Sequence, residues 1–290
     1  MKVWIEGRVV DGDQARIPVT DHGLLYGDGV FEGIRLAGGR VFRLDSHLAR
    51  LRHSARAIGL ELPGGVAGIR AIVLETARAW GRPDGYVRLL VTRGDGAMGV
   101  DPTRCPNPRV ICIVCEIELY PEAKLRSGVD MVTVSVRRPG PDVLDPRVKS
   151  LNYLNSVLAK REARLRGADE ALILNSAGMV AEAAVANVFV FRRGTLLTPP
   201  PTDGALEGVT RGSVLELAAG LGLRAEERTL SRMDLLSADE VFLCGTGARI
   251  VGVRTLDGAE IGVHTPGPIT EKLARAFSEL ARTDGVIFLD

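Results

Sequence analysis

The sequence predicts a two-domain α/β (α+β) protein, and three observations predict it. A chain of 290 residues is about twice the usual domain length. Its first part carries short strand signals interrupted by two helices, the pattern of an antiparallel sheet covered on one side. After Tyr120-Pro121-Glu122 a second block begins, in which strands, hairpins and helices alternate. The boundary falls near Tyr120 to Gly128, which gives a small N-terminal α/β domain over 1–120, a linker over 121–128 and a larger C-terminal domain over 129–290.

In the first block, strands are expected at Lys2 to Ile5, Gly29 to Leu36, Arg40 to Phe42, Tyr86 to Thr92 and Arg109 to Ile117, with Gly38-Gly39 as a hairpin turn. Asp45 or Ser46 is expected to cap a helix that places Leu48, Leu51, Ala55 and Ile58 on one face and stops at Gly59. A second helix is expected from Val66 to Trp80, stopped by Gly81. The second block opens with a strand at Met131 to Val136, and Pro139, Pro141 and Pro146 lead to a helix over Leu151 to Leu165. Strands follow at Ala171 to Leu174, Val188 to Phe191 and Val241 to Leu243, the second turning at Arg193-Gly194; helices are expected at Thr210 to Gly220 and Ile269 to Ala281. No internal repeat or low-complexity tract is present.

The charge is balanced, 37 basic residues against 36 acidic, and the arginines are scattered among acids rather than gathered in a stripe, which argues against nucleic acid as a partner. A glycine and an acid interrupt the N-terminal segment at Glu6-Gly7, and no apolar run reaches spanning length, so a cytoplasmic protein without a membrane partner is expected. Four cysteines do not make a disulfide framework. Cys112 and Cys115 spell C-x-x-C, but in a strand an i, i+3 pair points to opposite faces, and both are read as core. No metal site is expected.

Gly94-Asp95-Gly96-Ala97-Met98-Gly99 fits G-x-G-x-x-G after a strand, the one feature that favours a nicotinamide oxidoreductase. That motif works by opening a helix toward a pyrophosphate, and Pro102, Pro106 and Pro108 forbid one here. The five lysines are more informative. Lys2 is terminal, and Lys124, Lys160 and Lys272 sit among charged residues on faces expected to be solvated. Only Lys149 stands among apolar neighbours, where it is either a neutral amine for Schiff-base chemistry or a lysine that snorkels from a strand end.

Five separated motifs then resemble the class IV aminotransferases, the fold-type IV pyridoxal phosphate (PLP) enzymes, over nearly the whole chain: Phe42 to Leu51, Lys149, Ala181 to Phe189, Leu206 to Arg211 and Gly245-Thr246-Gly247. The resemblance implies a fold-type IV architecture with a mixed or barrel-like sheet in the larger domain, PLP as cofactor, and a homodimer in which a loop of one small domain completes the other subunit's pocket. By resemblance Lys149 is the catalytic Schiff-base residue, and Glu182 pairs with the pyridine nitrogen so that the ring acts as an electron sink. Arg50, Val209, Thr210 and Thr246 hold the phosphate, the middle two at a helix N-terminus. Tyr153 bonds the ring hydroxyl, and Asn187, Leu206 and Gly208 complete the cofactor shell.

The segment Tyr26 to Arg35 is similar to the branched-chain members, with Phe31, Gly33 and Arg35 at pocket positions. Tyr86, Met98, Val100 and Tyr120 with Phe31 are expected to give an apolar wall, a buried Arg88 to orient or neutralise nearby groups, and Thr246 with Gly247 to meet the substrate carboxylate. The expected reaction is transamination between a branched-chain L-amino acid and 2-oxoglutarate, amino and keto acids being the partners. The D-amino acid enzymes usually carry tyrosine where Phe31 stands and an Arg-x-His pair in the loop after Arg93, and this sequence has neither. Two departures leave substrate range open: Arg249 stands where an acid is usual, facing either the site or, the favoured reading, solvent, and Ala183 replaces the glycine after Glu182. D-amino acid or R-amine transamination and aminodeoxychorismate lysis remain as alternatives on the same fold.

Overall fold

The structure is a computed structural model that describes residues 1–289 and forms two compact units. The first comprises Met1–Ile117, Val148–Asn152 and the chain from Leu280; the second comprises Glu118–Arg147 and Tyr153–Glu279. A single cut at 120–128 misses the short return of Val148–Asn152, because those residues hydrogen-bond along the edge of a strand of the first unit.

In the first unit seven strands pair antiparallel throughout, in the order Val286–Ile287, Arg40–Val41, Gly29–Ala37, Gly85–Thr92, Arg109–Cys115, Lys2–Ile5 and Arg8–Asp11. The hairpin at Gly38-Gly39 holds both residues at positive φ, 56° and 75°, which glycine adopts without a Cβ clash. Helices Leu44–Ala57 and Gly65–Trp80 lay Leu44, Leu48, Leu51, Ile69, Val73 and Ala77 against Ile34, Val87, Leu89 and Val114 of the sheet. Each such leucine contributes about 2 kcal/mol by burial, and truncating Leu51 to alanine would cost about 2–5 kcal/mol.

The first helix starts one residue before the expected cap. Arg43 stands at its N-cap with φ 44° and no side-chain cap, because Leu44 is already needed in the core. Asp45 falls in the first turn instead, where a negative charge suits the helix dipole. Cys112 is wholly buried and Cys115 half-buried, both free thiols, and burial pushes the Cys112 thiol up to about 12. After Gly94–Gly99 only the single turn Pro102–Arg104 forms, so no helix N-terminus meets the glycines.

The second unit holds a mixed nine-stranded sheet: Arg224–Glu227, Thr195–Thr198, Asn187–Arg192, Glu240–Gly245, Arg249–Leu256, Val129–Arg137, Glu170–Leu174 and Val180–Ala183, with Ala259–Glu260 beside Arg249–Leu256. Its last strand turns straight into Asn187–Arg192 through a bond from the Ala183 N–H to the Ala186 carbonyl, so the sheet curls back on itself. Val188, Val190, Leu243, Val251, Val129 and Leu172 fill its interior. The helix expected from Leu151 begins at Leu154, since the Leu151 N–H is taken by the Gly29 carbonyl.

Candidate active site

In the first unit the site is built on strand Gly29–Ala37. Residues 148–152 run along its edge: the Phe31 N–H donates to the Lys149 carbonyl at 3.0 Å, the Leu151 N–H to the Gly29 carbonyl at 2.9 Å, and the Lys149 N–H to Ser54 Oγ at 3.0 Å. Two backbone bonds and one to the Ser54 hydroxyl thus fix the main chain at Lys149, whose Nζ lies 4.5 Å from the centroid of the Phe31 ring. The Arg88 guanidinium stacks over the same ring at 4.7 Å and over Tyr86 at 5.4 Å. A Cβ at Gly33 would lie 2.1 Å from the Tyr86 hydroxyl, so the tyrosine needs a glycine across the strand pair.

Glu32, between Phe31 and Gly33, is wholly buried. Its carboxylate accepts from Arg50 Nε at 2.8 Å, Arg50 Nη2 at 2.7 Å and His47 Nδ1 at 2.7 Å. Burial alone would raise its pKa, but the Arg50 charge and the hydrogen bonds from Arg50 and His47 outweigh it and bring it to about 2. Burial lowers His47, against the pull of Glu32 and with the nearby charges of Arg50 and Lys149 adding to it.

In the second unit Glu182 stands on strand Val180–Ala183, buried at every residue. Its Oε2 accepts from the Leu206 N–H at 3.1 Å and Asn187 Nδ2 at 3.2 Å, and its Oε1 lies 3.2 Å from Arg138 Nη2. Arg138 is itself held by Asn155 Oδ1, Ser156 Oγ and the Ala183 carbonyl. Asn187 also donates to the Leu206 carbonyl at 2.9 Å, and a Cβ at Gly208 would meet its Oδ1 at 2.1 Å. Gly208 is the N-cap of helix Val209–Gly220, whose first amides carry the positive end of the helix dipole beside buried Thr210. The turn carrying Thr246 and Gly247 follows Cys244, the strand partner of Asn187, and Tyr153 caps helix Leu154–Leu165, which supplies Asn155 and Ser156. Each unit by itself carries donors that suit a phosphorylated pyridine aldehyde: in the second, a carboxylate with three donors and a helix N-terminus; in the first, a partly buried arginine and a lysine whose main chain is pinned.

Three of the expected pocket residues have the following surroundings. Met98 and Val100 are 71% and 81% exposed, in a loop tethered through Asp95 to Arg109. Tyr120 is core: it is 4% exposed and its hydroxyl donates to Glu170 at 2.5 Å. Lys160, expected on a solvated face, donates at 2.7 Å to Glu170 and to the Asp169 carbonyl, drawn in by that buried acid. Arg35 lies on the strand beside Tyr86, and Arg249 is exposed. The sequence reading gave no role to Glu32, His47 or Arg138; a lone acid inside the apolar run of Gly29–Ala37 was the available signal for the first.

The family described as amino-transferase class IV matches residues 29–256. A Methanocaldococcus jannaschii protein provisionally named a branched-chain-amino-acid aminotransferase is 44% identical over 290 residues, 100% of both chains. The D-alanine aminotransferase of Bacillus licheniformis is 35% identical over 288 residues, 98% of this chain and 100% of the relative. The crystal structure of the branched-chain amino acid aminotransferase from Thermobaculum terrenum in its PLP form superposes with a TM-score of 0.87 at 32% identity, over 97% of this chain and 94% of that one.

Proposed function

The chain belongs to the class IV aminotransferases, and we propose that it passes the amino group of a branched-chain L-amino acid to 2-oxoglutarate with PLP as cofactor. The observation that carries the reading is Lys149, its main chain fixed by two backbone bonds and one to the Ser54 hydroxyl and its amine 4.5 Å from the centre of an aromatic ring. Bound PLP supplies an aldehyde that exchanges amines and a protonated ring that accepts electrons from the substrate α-carbon. Lys149 would hold the cofactor through its Nζ amine and, once freed, would move the substrate α-proton at Nζ. Glu182, kept in place by Asn187, Leu206 and Arg138, offers the negative charge that keeps the ring nitrogen protonated. Arg50 and the first amides of helix Val209–Gly220, with Thr210 and Thr246, hold the phosphate, and Tyr153 meets the ring hydroxyl. Phe31, Tyr86 and the stem of Arg88 give an apolar surface suited to a leucine, isoleucine or valine side chain.

Met98 and Val100 are held out into solvent, and a second copy of the chain is the partner whose pocket they would cover, which makes a homodimer the working form. No helix among the described residues is long and apolar enough to cross a membrane, and a cytoplasmic enzyme is our reading. A D-amino acid reading is favoured by the Bacillus licheniformis relative. The test is an absorbance spectrum of the PLP-loaded protein before and after L-leucine without a keto acid, with D-alanine in parallel. Bleaching of the yellow band by L-leucine supports the proposal. Bleaching by D-alanine alone overturns the substrate and keeps the cofactor, and failure to bind PLP overturns both.

A further inference from the structure

We infer that Glu32 and His47 are positioning residues that orient Arg50 for the cofactor phosphate. The inference rests on the PLP reading above and extends it to two residues that touch no expected ligand. Arg50 and His47 stand three residues apart on helix Leu44–Ala57 and so share a face, turned toward strand Gly29–Ala37. Glu32 takes the Nε and Nη2 hydrogens of Arg50 on its two separate oxygens, at 2.8 and 2.7 Å. That fork fixes the guanidinium plane, which a single-point contact would leave free to rotate.

The carboxylate is ionised and only accepts, so His47 must donate from Nδ1, and burial, which lowers its pKa, favours the neutral form that carries its one proton there. The Nε2 atom of His47 is then buried with no hydrogen-bond partner among the described residues. Such an orphan costs stability, and an apolar side chain would avoid it. Its retention is explained by what Nδ1 does, which is to hold the second oxygen of Glu32 in line with Arg50. A neutral imidazole also spares Lys149 and Arg50 a third cation beside them.

The experiment measures dissociation constants of the apoprotein for PLP and for pyridoxal, which lacks the phosphate, by absorbance titration. In Glu32→Gln the fork is lost and PLP binding weakens at least about tenfold, the worth of one charge-assisted hydrogen bond, while pyridoxal binding is unchanged. His47→Leu weakens PLP in the same selective way, and His47→Asn, which keeps a donor near the Nδ1 position, restores it. A PLP-to-pyridoxal ratio unchanged in Glu32→Gln, or loss of both ligands together, overturns the inference and leaves Glu32 a structural acid. Failure of the unsubstituted protein to bind PLP sinks the cofactor reading instead. Melting curves of each apoprotein, taken alongside, separate unfolding from loss of the phosphate grip.

Discussion

The Phe31 N–H donates to the Lys149 carbonyl at 3.0 Å, and the Lys149 ammonium lies 4.5 Å from the centroid of the Phe31 ring. Backbone and side chain of one residue therefore position both ends of the other. Borohydride reduction followed by peptide mapping is expected to place the pyridoxyl group on Lys149, and a label on Lys124 or Lys160 would refute its role. Lys149→Ala should still bind PLP through its phosphate but turn over at least about 10³-fold more slowly, the general acid–base contribution of one group.

Glu182 receives three donors, and a glutamine there can accept at one oxygen only. Glu182→Gln should hold PLP while the first half-reaction with L-leucine slows by about 10²–10³, the scale of losing one preorganised charge at a site of developing charge. Stopped-flow absorbance reads this directly. A rate within threefold of the unsubstituted enzyme would mean that another group keeps the ring nitrogen protonated.

Acid should weaken the fold in two stages. Glu32 titrates near 2 in the native state against 4.5 ordinarily, so its contribution is full above 4.5 and is lost as pH falls toward 2; the difference is worth roughly 3 kcal/mol. His47 is also lowered, from 6.5, so its share is present above 6.5 and is lost first on acidification. Urea midpoints of the apoprotein measured from pH 7 to pH 2 should fall in this order. The Glu32→Gln curve should lie below the original at pH 6 and meet it near pH 2; parallel curves would show that the acid does not set the slope.

Lys149 was legible because lysines are few and its neighbours apolar, and the strands of the first unit because each alternates or runs apolar between turn residues. Glu182 and Arg50 gained meaning only jointly, through the order of five motifs. The Glu32 pairings were not legible, since they join a strand to a helix 15 and 18 residues on and depend on which helix face turns inward. Nor does hydropathy alone set the exposure of Met98 and Val100 or the burial of Tyr120. The first two are set by the tether of Asp95 to Arg109, and Tyr120 is captured by Glu170, 50 residues away.

Gly33 and Tyr86 give a test of substrate range. A methyl group at Gly33 would lie 2.1 Å from the Tyr86 hydroxyl, and Tyr86 is 7% exposed, so the ring must shift to admit it. Gly33→Ala should raise the KM for L-leucine about tenfold, the usual worth of one methylene in a fitted pocket, and leave the PLP dissociation constant unchanged. Equal losses for L-leucine and PLP would place Gly33 with the fold rather than with the pocket.

Met98 and Val100 provide the test of assembly. Both side chains stand in solvent although Arg109 binds both Asp95 and Asp21 and so fixes the loop that bears them. Exposed apolar groups on a rigid tether cost solubility unless another surface covers them. A Met98→Glu, Val100→Glu double substitution should therefore leave the melting temperature of the isolated chain within a few degrees, because no core contact is lost. The same change should weaken dimerisation in light scattering and lower kcat/KM for L-leucine. An active dimer with unaltered kinetics would show that this loop faces water in the working enzyme.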